Sequence, residues 1–231
     1  PSTQRPRMEE AFDVIMRLFR GETVTHESDW FTCRDAVLQM APYSDFDIAV
    51  AASISPSGSK TAGRYGTGLI SIAATDPMGV ELLSGHWDIA EHEAAAHGTS
   101  VRRDKWRLMG PMHIAETEEQ ARENCRFGLQ WIFDYLSHII PVGDPSDAPP
   151  TDFDDFVDFA NESGRMVIGT PDMAIEQLQR LDDKTGGFGA YLFLGADLAD
   201  WGATKRSYEL FAEYVMPHFQ GQLAAPRASY D

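Results

Sequence analysis

The sequence predicts an α/β fold of the (β/α)8 TIM-barrel type, with the chain supplying about half of the barrel. Three observations predict it. Apolar runs of four to eight residues alternate with amphipathic helical patterns, the signature of repeated βα units on a parallel sheet. The run over residues 48–52 empties into a loop of small hydroxyl residues that opens a helix, as strand ends of α/β proteins do. Only about four such strands are visible in 231 residues, whereas a complete eight-stranded barrel takes about 250. A doubly wound sheet shares the alternation. Two long stretches are insertions, however, and half a barrel fits what remains.

The chain begins at Pro1 and passes directly into Met8, Phe12, Ile15 and Phe19, which lay one apolar stripe on a helix. It starts as a fragment of a larger architecture would. Residues 22–45 hold Thr23-Val24-Thr25, Trp30-Phe31-Thr32 and Ala36-Val37-Leu38 between polar breaks and read as a β-hairpin insertion. Trp30 and Phe31 suit plain packing, a cover for one barrel end or a dimer contact. A strand over residues 48–52, a helix over 57–65 and a strand over 69–72 give the first βαβ rhythm. A helix over residues 79–97 follows from Leu83, Trp87, Ala90 and Ala94 on one face, with Gly98 placed to end it.

The next strand spans residues 106–115, where Pro111 forbids one ladder bond and implies a bulge or an irregular end. Thr117-Glu-Glu-Gln120 is a capping box that opens a helix running toward residue 138, with Ala121, Cys125, Ile132 and Leu136 as its buried stripe. Between Pro141 and Arg165 stand four prolines, seven acids and one base, so residues 141–166 read as a long, lid-like excursion. Order resumes at Val167-Ile168-Gly169. Thr170-Pro171 then begins a helix carrying Ala174, Leu178 and Leu181. A strand over residues 188–194 and a helix over 204–216, before Pro217, complete the single domain of residues 1–231.

With 36 acids against 19 bases the net charge is −17, which argues against nucleic acid or an anionic membrane as the main partner. Any phosphate must be held locally. Cys33 and Cys125 form no CxxC and suit packing in a reducing cytoplasm. No apolar run approaches the 18 or so residues of a membrane span, and no secretory apolar segment opens the chain, so a soluble, cytoplasmic protein is expected.

The stretch Phe46-Asp-Ile-Ala-Val-Ala-Ala-Ser53-Ile-Ser55-Pro-Ser57-Gly58 runs from an apolar strand into a loop of small hydroxyl residues that opens a helix. Unpaired first-turn amides and nearby hydroxyls suit an anion. The same residues equally suit a helix start beside a Pro-Ser-Gly turn that holds nothing. Other motifs fail. Gly58-Ser-Lys60-Thr lacks both glycines of a P-loop, and Gly66-Thr-Gly68 has Ser71 where a dinucleotide fingerprint needs its third glycine. His92 and His97 are five residues apart, about 140° around a helix, and cannot share a metal; with His86 they read as a solvated face, and no metal is expected. No Ser-His-Asp or Cys-His set assembles, the acids of 152–158 read as a solvated lid face, and the catalytic residues stay unknown.

Taken in order, residues 48–57, Arg64-Tyr-Gly66, Gly68-Leu-Ile-Ser71, Gly169-Thr-Pro171, the strand from Tyr191 to Gly195 and the run from Phe211 through Val215-Met-Pro217-His-Phe219 resemble the C-terminal part of the bacterial-luciferase-like flavin monooxygenases. Trp106 to Gln120 and Ala62 to Gly66 look closest to the branch containing limonene monooxygenase. The resemblance implies a barrel, usually a homodimer, that binds reduced flavin, FMN or FAD, and uses O2 to oxygenate a small apolar substrate. A separate flavin reductase would supply the electrons. It implies cofactor-phosphate contacts at Ser53, Ile54 and Ser57, with Ser55 and Gly58 beside them and Ser71 near the ribityl chain. Ile54 replaces a polar residue there and offers only its amide. The excursion corresponds to a mobile lid, and its base Arg165 suits an anion on closure or a surface balance to the seven acids. The family's first four strands have no counterpart, which leaves open sheet edges and an exposed inner face. Two alternatives share the fold: an F420-dependent oxidoreductase, and a non-catalytic flavin-binding remnant.

Overall fold

The computed structural model describes residues 3–44, 47–139 and 149–221. Helix α1 (Gln4–Phe19) leads into an antiparallel hairpin of β1 (Val24–Glu27) and β2 (Thr32–Ala36). Trp30 and Phe31 lie in its turn, and the Trp30 indole N–H donates to Glu10 of α1 at 2.7 Å. The expected stripe of α1 is only partly covered. Val14 is buried, whereas Met8 and Ile15 are exposed.

The organising element is a parallel sheet of β3 (Ala49–Ala52), β4 (Gly68–Ser71), β5 (Trp106–Gly110) and β8 (Ala190–Phe193), in the order β3-β4-β5-β8. Between them run α2 (Ser57–Tyr65), α3 (Pro77–His97) and α7 (Pro171–Thr185). Register sets the two faces. Val50, Leu69 and Trp106 align, as do Ser71, Leu108 and Tyr191, and all of these but Ser71 cluster with Ala62, Leu83, Trp87 and Leu181 of the helices. Burying Leu69, Leu83 and Leu108 is worth about 1.5–3 kcal/mol each. The opposite face carries Ala51, Ile70, Arg107 and Ala190 in one row, and none of these four is fully buried. No described strand pairs with the outer edge of β3 or of β8.

Several expected elements divide. The strand over residues 106–115 splits at Pro111 into β5 and β6 (Met112–Ile114), and β6 pairs in parallel with β7 (Val167–Gly169) in a separate two-stranded sheet. Pro111 has no N–H to continue the ladder, but its carbonyl accepts from Val167. The helix over residues 117–138 is likewise two, α4 (Glu118–Cys125) and α5 (Leu129–Ile139). At their junction Gly128 lies against the Asp197 carbonyl with no room for a Cβ. Thr117 caps the Gln120 amide as expected, while the Gln120 side chain turns to Asn124 and leaves the box half made.

The excursion contains α6 (Phe153–Glu162), capped by Asp152 and burying Phe156, Val157 and Ala160; residues 141–148, like Asp45 and Phe46, lie outside the described residues. The acids of 152–158 are exposed, as expected, and two of them, Asp154 and Asp158, also meet Arg122 and Arg126 of the α4 segment. The last helix passes through Pro217: α8 (Trp201–Leu210) runs through a π-turn at Phe211–Val215 into α9 (Met216–Phe219), where proline is tolerated in the first turn. No helix among the described residues is long and apolar enough to cross a membrane.

Candidate anion site at the strand carboxyl ends

In a parallel sheet every carboxyl end faces one side, and ligands bind in the crevice outside those ends. Here that rim is formed by the residues after Ala52, Ser71, Gly110 and Phe193. After β3 the chain turns through residues 53–56 into α2. Ser53 and Ile54 are exposed, Ser55 and Ser57 half-buried, and the Ser55 and Ser57 hydroxyls lie 2.9 Å apart. Gly58 lets the helix seat on the strand, because a Cβ there would stand 2.5 Å from the Ala51 carbonyl oxygen. Thus Ser53, Ile54, Ser55, Ser57 and Gly58 do come together at one strand end.

The start of α2 lacks what most other helices have. Side chains cap α3 (Asp76), α4 (Thr117), α6 (Asp152), α7 (Thr170) and α8 (Asp200), but the N-cap of α2 is Pro56 and no side chain bonds its first-turn amides. Free amides, the positive end of the helix dipole and neighbouring serine hydroxyls make a set of donors that fits a phosphate. Ser59, in the same turn, has a fully buried hydroxyl without a protein partner.

Ser71 sits at the end of β4, yet its side chain belongs to the helix-facing layer. It is buried, and its Oγ accepts the Trp106 indole N–H at 3.0 Å. Arg165 lies beside the adjacent strand end rather than over α2. Its guanidinium is 3.7 Å from the Asp76 carboxylate that caps α3 and stacks 4.9 Å from the Phe159 ring. His86, expected on a solvated face, is instead buried, with its Nε2 3.2 Å from the Ile54 carbonyl oxygen. Sequence periodicity carries no sign of that contact, because it depends on where the loop crosses α3.

The rim also carries apolar side chains. Ile54, Ile72 and Leu194 each follow a strand and are 45%, 43% and 37% exposed, and Met109 and Leu192 lie on the inner face below them. At the opposite, amino end of the strands, Arg107 and Lys105 both bond Asp47, and Gly68 provides the space that the Arg107 guanidinium crosses. The hydroxyl-rich β3–α2 loop is one polar corner of the rim and the Asp76–Arg165 pair another, and apolar side chains such as Ile72 and Leu194 stand at the other strand ends.

Residues 1–186 match the family described as luciferase-like monooxygenase. Limonene 1,2-monooxygenase of Rhodococcus erythropolis is 51% identical over 231 residues, all of this chain and 59% of that protein. The fold aligns with the monooxygenase RslO1 of Streptomyces bottropensis at a TM-score of 0.74 and 20% identity, covering 93% of this chain and 61% of the other. It aligns also with the oxygenating constituent of 3,6-diketocamphane monooxygenase of Pseudomonas putida, solved with FMN, at a TM-score of 0.64 and 21% identity over 90% of this chain and 62% of the other. The chain thus spans about three fifths of the length of these relatives. It belongs to the luciferase-like monooxygenase family.

Proposed function

We propose that the chain forms the phosphate-holding part of a flavin-dependent monooxygenase, which uses reduced FMN and O2 to oxygenate a small apolar organic molecule. The observation that carries this reading is the uncapped start of α2 beside exposed Ser53 and half-buried Ser55 and Ser57 at the strand carboxyl ends, in a member of a monooxygenase family. Bound reduced flavin supplies the electrons and the activation of O2. The chain's own residues bind and shield. The α2 amides, Ser53 and Ser57 hold the phosphate, Gly58 lets α2 approach close enough to present those amides, and the apolar rim of Ile54, Ile72 and Leu194 gives a substrate no polar partner. That rim favours a hydrocarbon-like molecule.

Arg165 has a second role in this reading. Its ion pair with Asp76 registers the segment from α6 to β7 beside the β4–α3 turn, where that segment shields the rim from water. A separate reductase as the electron source and a homodimer as the assembly belong to the same proposal. Titration of the protein with FMN, FAD and F420, followed by absorbance and fluorescence, tests the cofactor. Preference for FMN, with O2-dependent oxygenation of a terpene-like hydrocarbon after chemical reduction, is the expected result. Preference for F420 with hydride transfer and no oxygenation overturns it.

A further inference from the structure

Resting on the phosphate reading above, we propose that His86 is a positioning residue for anion binding: by holding the Ile54 carbonyl against α3, it aims the Ser55 amide into the mouth of the site. The β3–α2 loop has no side-chain cap of its own to fix its peptide planes. His86 is 4% exposed, and its Nε2 lies 3.2 Å from the Ile54 oxygen, so the ring nitrogen carries the proton and donates it. In a trans peptide the carbonyl and the following N–H point in opposite directions. An Ile54 carbonyl drawn toward α3 therefore turns the Ser55 N–H away from α3. Among the described residues nothing accepts from that amide.

The donor is itself held firmly. Trp87, the residue after His86, stacks on Trp106 of β5 at 4.9 Å, and Gly63 of α2 lies directly against the Ala90 carbonyl of α3. The sheet thus fixes α3, α3 fixes His86, and His86 fixes one peptide plane of the loop. The plane so fixed carries the Ser55 N–H, whereas the Ile54 N–H belongs to the preceding peptide.

The test compares Kd for FMN with Kd for riboflavin, which lacks the phosphate, in the parent protein and in His86→Met, His86→Gln and Ser55→Pro. His86→Met removes the donor at similar volume, and His86→Gln keeps an N–H. Ser55→Pro deletes the amide itself on a partly exposed loop and reads the proposal even if His86→Met does not fold. The expected result is a loss of about tenfold in the FMN preference for His86→Met and Ser55→Pro, riboflavin affinity unchanged, and recovery to within about threefold in His86→Gln. An unchanged preference in Ser55→Pro or a folded His86→Met overturns the proposal. So does equal loss in Met and Gln variants with riboflavin weakened alike, which marks simple packing. A parent protein that binds riboflavin as well as FMN removes the phosphate reading itself and this inference with it.

Discussion

The Trp106 indole N–H donates to Ser71 Oγ at 3.0 Å inside the layer between sheet and helices, joining β5 to the end of β4. Trp106 also stacks on Trp87, so this bond orients the ring that anchors α3. Ser71→Ala leaves a buried N–H without a partner and should cost about 1–3 kcal/mol of stability. FMN affinity should stay within about twofold of the parent. Chemical denaturation and flavin titration of the same variant separate the two effects.

Gly58→Ala places a methyl group 2.5 Å from the Ala51 carbonyl, a clash between two backbones that neither a rotamer nor a flexible side chain can relieve. The helix must lift from β3. The expected outcome is a loss of about 1–3 kcal/mol in stability, together with weaker FMN binding, because the α2 amides move with the helix. Equilibrium unfolding and fluorescence quenching by FMN check both.

Burial among Ala115, Leu129 and Phe156 pushes the Cys125 thiol up to about 12, whereas Cys33 is partly exposed on β2. The native protein should therefore present one fast thiol to a disulfide reagent at pH 8, and the second only on unfolding. The raised thiol keeps its proton in the folded state where the unfolded chain has lost it, so this contribution to stability is complete below about pH 9 and declines as pH rises toward about 12.

Arg165 and Asp76 are 3.7 Å apart with side chains 35% and 42% exposed, so their ion pair contributes little stability. Arg165→Gln should leave the melting temperature within about 2 °C of the parent, at most about 1 kcal/mol for a chain of this size. If the pair holds the segment over the rim, the same variant should lose oxygenation yield per flavin oxidised. Product formation measured against peroxide release checks this, and an unchanged ratio would remove the shielding role.

Elements with local punctuation were readable from sequence. α2 spans Ser57–Tyr65 as expected because Pro56 starts it and Gly66, at φ 65°, ends it in the left-handed conformation. α6 was hidden by the prolines before it, although Phe156, Val157 and Ala160 already formed a helical stripe. The break between α4 and α5 comes from a non-local approach, Gly128 against Asp197, that no window of sequence contains. The serine loop was legible as a possible anion site, since small hydroxyl residues after a strand carry a chemical meaning. His86 was not. His86 and His97 fall on nearly the same helical face, yet one is buried under the β3–α2 loop and the other sits at the open end of α3.

The phosphate reading requires α2 amides and loop serines to grip a flavin phosphate. Its most direct measurement is FMN titration of the protein beside Ser53→Ala, Ser57→Ala and the double variant, with riboflavin as the phosphate-free control. Each lost hydroxyl should weaken FMN by about 1.5–3 kcal/mol, tenfold or more, because the acceptor is charged, and should leave riboflavin unaffected. An FMN affinity unchanged in the double variant would contradict the account.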